Sequence, residues 1–148
     1  MKKTKGFTLI ELLVAATIIS VLITAGIVSY TSVNKRSRDT KRRSDMEQMR
    51  SALEMYRADN TFYPNAGGGS WTDVSALSTA LVTGGYMPVL PTDPKAFGYE
   101  FQATNLVSGQ YYGYCLGGFL ETDTPSSTCD VSALSPPTGT TAYGLKNP

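Results

Sequence analysis

One carboxylate, Glu11, stands in an otherwise apolar stretch: Phe7-Thr8-Leu9-Ile10 precede it, and no further charge occurs until Lys35. An acid in such a place costs a few kcal/mol in hydrocarbon, so it either sits at headgroup level or meets a cation supplied from elsewhere. Its position five residues past Gly6 suits the first role. No Lys or Arg lies one helical turn away, where Phe7, Thr8, Val14 and Ala15 stand, so a partner in the second role would come from outside the helix. The other reactive groups are few. Cys115 and Cys129 can pair or remain thiols, and the chain has no histidine, which removes the commonest general base and metal ligand. No nucleophile–base set can be assembled. The glycine run at residues 66–70 lacks the Lys-Ser/Thr ending of a phosphate loop and reads as a linker. These residues do not point to an enzyme.

The elements that carry Glu11 follow from hydropathy and charge. Residues 12–33 form a 22-residue apolar run, enough for one membrane-spanning helix, with Ser20, Thr24, Ser29 and Thr31 able to return their hydroxyls to helix carbonyls. A leader at residues 1–6 carries Lys2, Lys3 and Lys5. After the run comes a basic collar of Lys35, Arg36, Arg38, Lys41, Arg42 and Arg43 against the single acid Asp39. From Ser44 onward ten acids oppose Arg50, Arg57, Lys95 and Lys146, a net of −6, which makes the head a poor platform for nucleic acid. With no proline between Phe7 and Tyr63, one helix can run to about Arg57, roughly 75 Å at 1.5 Å per residue. Residues 34–45 show no apolar stripe and are expected to face solvent or to pack only in an assembly. Met46, Met49, Leu53 and Tyr56 then recur at helical spacing, beside Ala52, as the face on which a head packs. Asp59-Asn60 ends the helix, with Asn60 taking the left-handed cap.

Gly6-Phe7-Thr8-Leu9-Ile10-Glu11 resembles the cleavage and methylation signal of type IV prepilins and type II secretion pseudopilins. The resemblance continues through Ala52-Leu53, Tyr56, Asp59-Asn60 and Tyr63-Pro64 at the helix end, and more loosely over residues 86–121. It implies removal of residues 1–6, cleavage between Gly6 and Phe7, N-methylation of Phe7, and a role in assembly for Glu11. The carboxylate would meet the new ammonium on Phe7 of a neighbouring subunit, so that each neutralises the other. The implied partners are further copies of the chain, minor pilins or pseudopilins, a prepilin peptidase, and an assembly ATPase with its membrane platform. The implied location is the cytoplasmic (inner) membrane, leader inside and head outside, and then an extracytoplasmic filament. A count of flanking charges, six against three, favours the opposite orientation. The cleavage signal is the sharper of the two and is followed here. A secretory signal peptide is rejected, because no small-residue cleavage site follows the apolar run.

The expected architecture is α+β and pilin-like: a long N-terminal helix, membrane-spanning in its first half, packed against a small antiparallel sheet. It divides into a leader at 1–6, a transmembrane or filament-core helix at 7–34, a helix spine at 35–63, a head at 64–121 and a C-terminal loop or tail at 122–148. Within the head, Thr72 or Asp73 caps a short helix whose Val74, Leu77 and Leu81 share a face, and Trp71 covers the core. Residues 99–103 and 111–121 are expected to be antiparallel strands, with Gly117-Gly118 as a bulge or bend. A Cys115–Cys129 bridge would tie the tail to the sheet, and beyond Val131 the tail is expected to be mobile. Major pseudopilins carry calcium in their C-terminal loop. Glu121, Asp123 and Asp130 offer oxygens, but at a spacing that does not match, so no metal or other cofactor is expected. Two rival readings are a DNA-uptake (competence) pilin, binding nucleic acid through the collar, and an uncleaved membrane-anchored binding module. Nucleic acid is disfavoured as a partner, because a filament would largely cover the collar.

Overall fold

The computed structural model describes residues 6–122 and 127–147. Residues 1–5 of the expected 1–6 leader, and Asp123, lie outside the described residues. The chain divides into two compact units, Met1–Lys35 and Arg36–Pro148.

The first unit is helical from Leu9 onward, as the opening part of α1 (Leu9–Asn60). Among the side chains described there, the large apolar ones, such as Leu12, Leu13, Ile18, Leu22 and Ile27, are more than half exposed, and Val14 falls just below that mark. The apolar window of α1 has a mean hydropathy of 2.4 with none of it buried, so it is long and apolar enough to cross a membrane. Thr17, Ser20 and Thr24 each donate a hydroxyl hydrogen bond to a carbonyl three or four residues back, at 2.8 Å. This removes the polarity that those hydroxyls would otherwise present to hydrocarbon.

In the second unit the rest of α1 lies on a four-stranded antiparallel sheet in the order β1 (Thr72–Asp73), β2 (Glu100–Val107), β3 (Gln110–Leu120), β4 (Thr141–Lys146). Met46, Met49, Ala52 and Leu53 are buried against Tyr99, Phe101, Tyr114 and Leu116, as the helical stripe predicts. Asp73 caps the short helical stretch that follows by accepting from the Ser75 amide at 2.8 Å. Val74, Leu77 and Leu81 are buried, and Trp71 is half-buried.

Five local expectations change. The left-handed residue that ends α1 is Thr61 (φ 70°), while Asn60 stays helical and donates to the Tyr56 carbonyl at 2.9 Å. The strands β2 and β3 run on to a two-residue turn, Ser108-Gly109, with φ values of 50° and 83°. Both positive angles give the turn the twist that the flanking strands need. Gly117 and Gly118 form no bulge, since both stay in regular register with β4. They are bare because a Cβ on Gly117 would fall 2.8 Å from Leu134 and one on Gly118 3.2 Å from the Met46 sulfur. The tail beyond Val131 contributes β4, paired with β3 from Leu120↔Thr141 to Cys115↔Lys146. Finally, residues 34–45 do not all face solvent: Asp39, Arg42 and Asp45 are buried polar groups of the head.

Candidate functional site

At the start of α1, Thr8 and Glu11 bond reciprocally. The Thr8 amide and hydroxyl donate to the Glu11 carboxylate at 2.9 and 2.8 Å, and the Glu11 amide donates to the Thr8 hydroxyl at 3.3 Å. This is a capping box, Thr-x-x-Glu, which satisfies amides that the first helical turn leaves without partners. Thr8 was therefore a residue to single out, and the three-residue spacing to Glu11 was the signal. Both bonds from Thr8 fall on one carboxylate oxygen, Oε2. Phe7 is almost fully exposed. Thus Gly6, Phe7 and Glu11 lie together at an open helix start.

The second site is the part of the collar that turns inward. Asp39 and Arg42 sit three residues apart on α1, so their side chains share a face with Met46 and Met49. The Arg42 guanidinium is fully buried. Its Nε donates to Asp93 at 2.5 Å, and its NH1 donates to Asp39 at 2.8 Å and to Glu121 at 2.9 Å. Glu121 also accepts both arms of Arg38 at 2.7 Å and the Lys95 ammonium at 3.1 Å. Asp39 is held by the Glu121 and Thr122 amides and by the Thr122 hydroxyl, the last at 2.6 Å. Asp93 accepts from the Lys95 and Phe97 amides at 2.7 and 3.2 Å. Three cations meet three acids, so the cluster is neutral, and it joins the helix, the 93–97 loop and the end of β3.

The electrostatics follow from these contacts. Arg38, assisted by Arg42 and Lys95, holds the Glu121 carboxyl well below the usual carboxylate range against the effect of burial. Burial alone would raise Asp39 and Asp93. The Thr122 hydroxyl and Glu121 amide outweigh it for Asp39, and the Arg42 guanidinium with the Lys95 amide does so for Asp93, so both lie below their ordinary value. Deeper in the core, burial and the Asp45 carboxylate at 2.7 Å push the Tyr99 hydroxyl up.

Cys115, on β3, is bonded to Cys129, with Cα atoms 6.1 Å apart. The bridge crosses β4 over Gly144, where a Cβ would fall 2.8 Å from the Cys129 sulfur. Calcium does not fit the described donors of the C-terminal loop. Both oxygens of Glu121 are taken by cations, and Asp130 accepts from the Ser132 amide at 2.9 Å. Among the described residues no group of three acid, histidine or cysteine side chains is placed to hold a metal.

A long apolar helix opening on a lone capped acid, and continuing as the spine of a small antiparallel head, defines the pilin-like class of filament subunits. The comparisons narrow the class. Residues 1–27 match the prokaryotic N-terminal methylation motif, and residues 29–131 match type II secretion system protein G. The chain belongs to the type II secretion system protein G family. It is 32% identical to the type II secretion system core protein G of Klebsiella pneumoniae, over 68% of this chain and 75% of that one. It is 31% identical to the protein of the same name from Escherichia coli, over 77% and 79%, and 29% identical to that of Vibrio cholerae, over 68% and 72%. No solved structure matches the chain significantly.

Proposed function

We propose that the chain is a major pseudopilin: a structural, non-enzymatic subunit that enters the inner membrane through α1, is processed between Gly6 and Phe7, and polymerises through the same helix. The observation that carries this reading is the unburied apolar helix headed by Glu11, since an isolated subunit leaves that whole surface without a partner. Apolar area of this extent is stable in only two settings, a bilayer or a bundle of like helices. The subunit passes from the first to the second.

In this reading the leader stays inside and the head outside, which suits a disulfide-bonded head. A prepilin peptidase cuts after Gly6 because a small residue is needed there, and Phe7 becomes the N-methylated terminus. Glu11 keeps Thr8 on Oε2 and offers Oε1 to the Phe7 ammonium of an adjacent subunit. Burying that pair costs far less than burying either charge alone, so it sets the axial register of the filament. Assembly involves other pseudopilins and the secretion machinery, with an ATPase and membrane platform supplying the work. A nucleic-acid role is the weaker reading, because two of the six collar cations, Arg38 and Arg42, are committed to Glu121, Asp39 and Asp93.

Mass spectrometry of the mature protein tests the reading. A chain beginning at a methylated Phe7 is expected, and replacing Gly6 with a bulky residue should leave full-length precursor in the membrane. Retention of residues 1–6 in the wild type would instead indicate an uncleaved anchored module.

A further inference from the structure

The cluster around Arg42 gathers acids around one cation, as a bound metal ion would. Acids from three segments far apart in sequence, Asp39, Asp93 and Glu121, converge on one cation that water does not reach. That cation is covalently part of α1. We infer that the Arg42 guanidinium is the built-in structural cation of this head, and that its removal leaves a site selective for guanidinium ions over divalent metals.

Two features carry the inference. The acids are positioned without Arg42: Asp39 by the Glu121 and Thr122 amides, Asp93 by the Lys95 and Phe97 amides, and Glu121 by Arg38 and Lys95. An acceptor set held this way persists when the guanidinium is gone. The acceptors are also spread over separate nitrogens, Asp93 on Nε and NH2 and Asp39 with Glu121 on NH1, while the Phe97 ring covers the guanidinium at 5.1 Å. A planar fork with several donors satisfies such a set, whereas a calcium ion needs six to eight oxygens at about 2.3–2.6 Å from one centre. Lysine is no substitute, because one ammonium cannot span both groups of acceptors.

The test uses the full chain in a non-ionic detergent, with thermal melting of the head as the readout. Wild-type Tm should not move with EDTA or with millimolar calcium. Arg42→Ala should lower Tm by about 10–20 °C, because three buried acids lose their shared counter-charge. A few millimolar guanidinium, far below denaturing levels, should restore at least half of that loss, and equal calcium should not. Adding Asp93→Asn to Arg42→Ala should abolish the rescue. A wild-type Tm that falls with EDTA would show that a metal holds the head. Rescue by calcium as good as that by guanidinium would refute the selectivity. An Arg42→Ala chain that stays unfolded or unrescued with guanidinium present would overturn the site itself.

Discussion

Removing the bridge by Cys115→Ala with Cys129→Ala isolates one clear contribution to head stability. The two cysteines are 14 residues apart in sequence, and closing a loop of that size is worth about 3 kcal/mol in the chain-entropy account. Nearby bonds do not replace it. Thr128 donates to the Gly144 carbonyl at 2.9 Å, the Gly144 amide donates to Ser127 at 3.1 Å, and the Lys146 amide donates to the Thr128 hydroxyl at 2.9 Å. These clip the segment to β4 but lie at the half-exposed rim, where such bonds add only about 1 kcal/mol each. For a head of this size the cystine-free protein should melt about 10–15 °C lower. Reductant should produce the same loss in the wild type and none in the variant.

A second substitution makes that prediction specific. Gly144→Ala should cost about 1–3 kcal/mol with the bridge present, since its methyl meets the Cys129 sulfur and the Val131 side chain. Without the bridge that segment can move aside, so the cost should shrink by at least about 0.5 kcal/mol. An unchanged Tm in the cystine-free chain would refute the stapling role. Equal costs of Gly144→Ala in both backgrounds would show that the bridge does not cross β4 at this residue.

Glu11→Leu should insert and be processed yet yield few filaments, whereas Thr8→Val, which loses the cap hydroxyl but keeps the carboxylate, should assemble well. Similar filament yields from the two variants, measured against processed subunit, would reduce Glu11 to a helix cap. Asp39, Asp93 and Glu121 all have carboxyls depressed in the folded head, so they favour folding above their unfolded values of about 3.9–4.3 and lose that effect as pH falls towards their folded values. Tm should therefore be flat near neutrality and fall below about pH 4, and a Tm unchanged at pH 3 would contradict the cluster. Reversing exposed Arg36 and Lys41 to Glu should weaken assembly at low salt and matter little at high salt, because such surface attraction is screened. Assembly that is indifferent to the reversal at low salt would exclude a collar-to-head attraction between subunits.

The sequence disclosed the helix, its apolar half and the Met46–Met49–Leu53 face, because each is a local periodic pattern. It hid the Arg42 cluster for a physical reason. Two of the three acid partners of Arg42, Asp93 and Glu121, lie 51 and 79 residues away, and a charged side chain gives no hydropathy signal of being buried. One trace was present: stepping back from Met49 and Met46 by threes and fours reaches Arg42 and Asp39, so the buried face extends through polar members. The strand β4 was obscured differently. It follows a stretch rich in Ser, Thr, Pro and Gly, and its core-facing residues are few, so only pairing with β3 identifies it as a strand. Gly117 and Gly118 misled because glycine marks both bulges and close packing, and local sequence does not separate these causes.

Burial of the cluster narrows the charge conflict along the chain, from six flanking cations against three to four against three. Counted as a linear string, the collar looks like a block of like charge. In the folded head, Arg38 and Arg42 are counterions of Asp93, Glu121 and Asp39, so they contribute to the packing of the head. The cations that remain exposed on this stretch are Lys35, Arg36, Lys41 and Arg43, while its two nearest acids, Asp39 and Asp45, are buried. The division gives the two kinds of charge different tests. Exposed cations act over a Debye length and respond to salt, whereas buried ones act through geometry and respond to truncation. Replacing Arg42 together with an exposed cation would confound these roles, and Arg43 also stacks on Tyr143, so substitutions at Arg36 and Lys41 report more cleanly on contacts with neighbouring subunits.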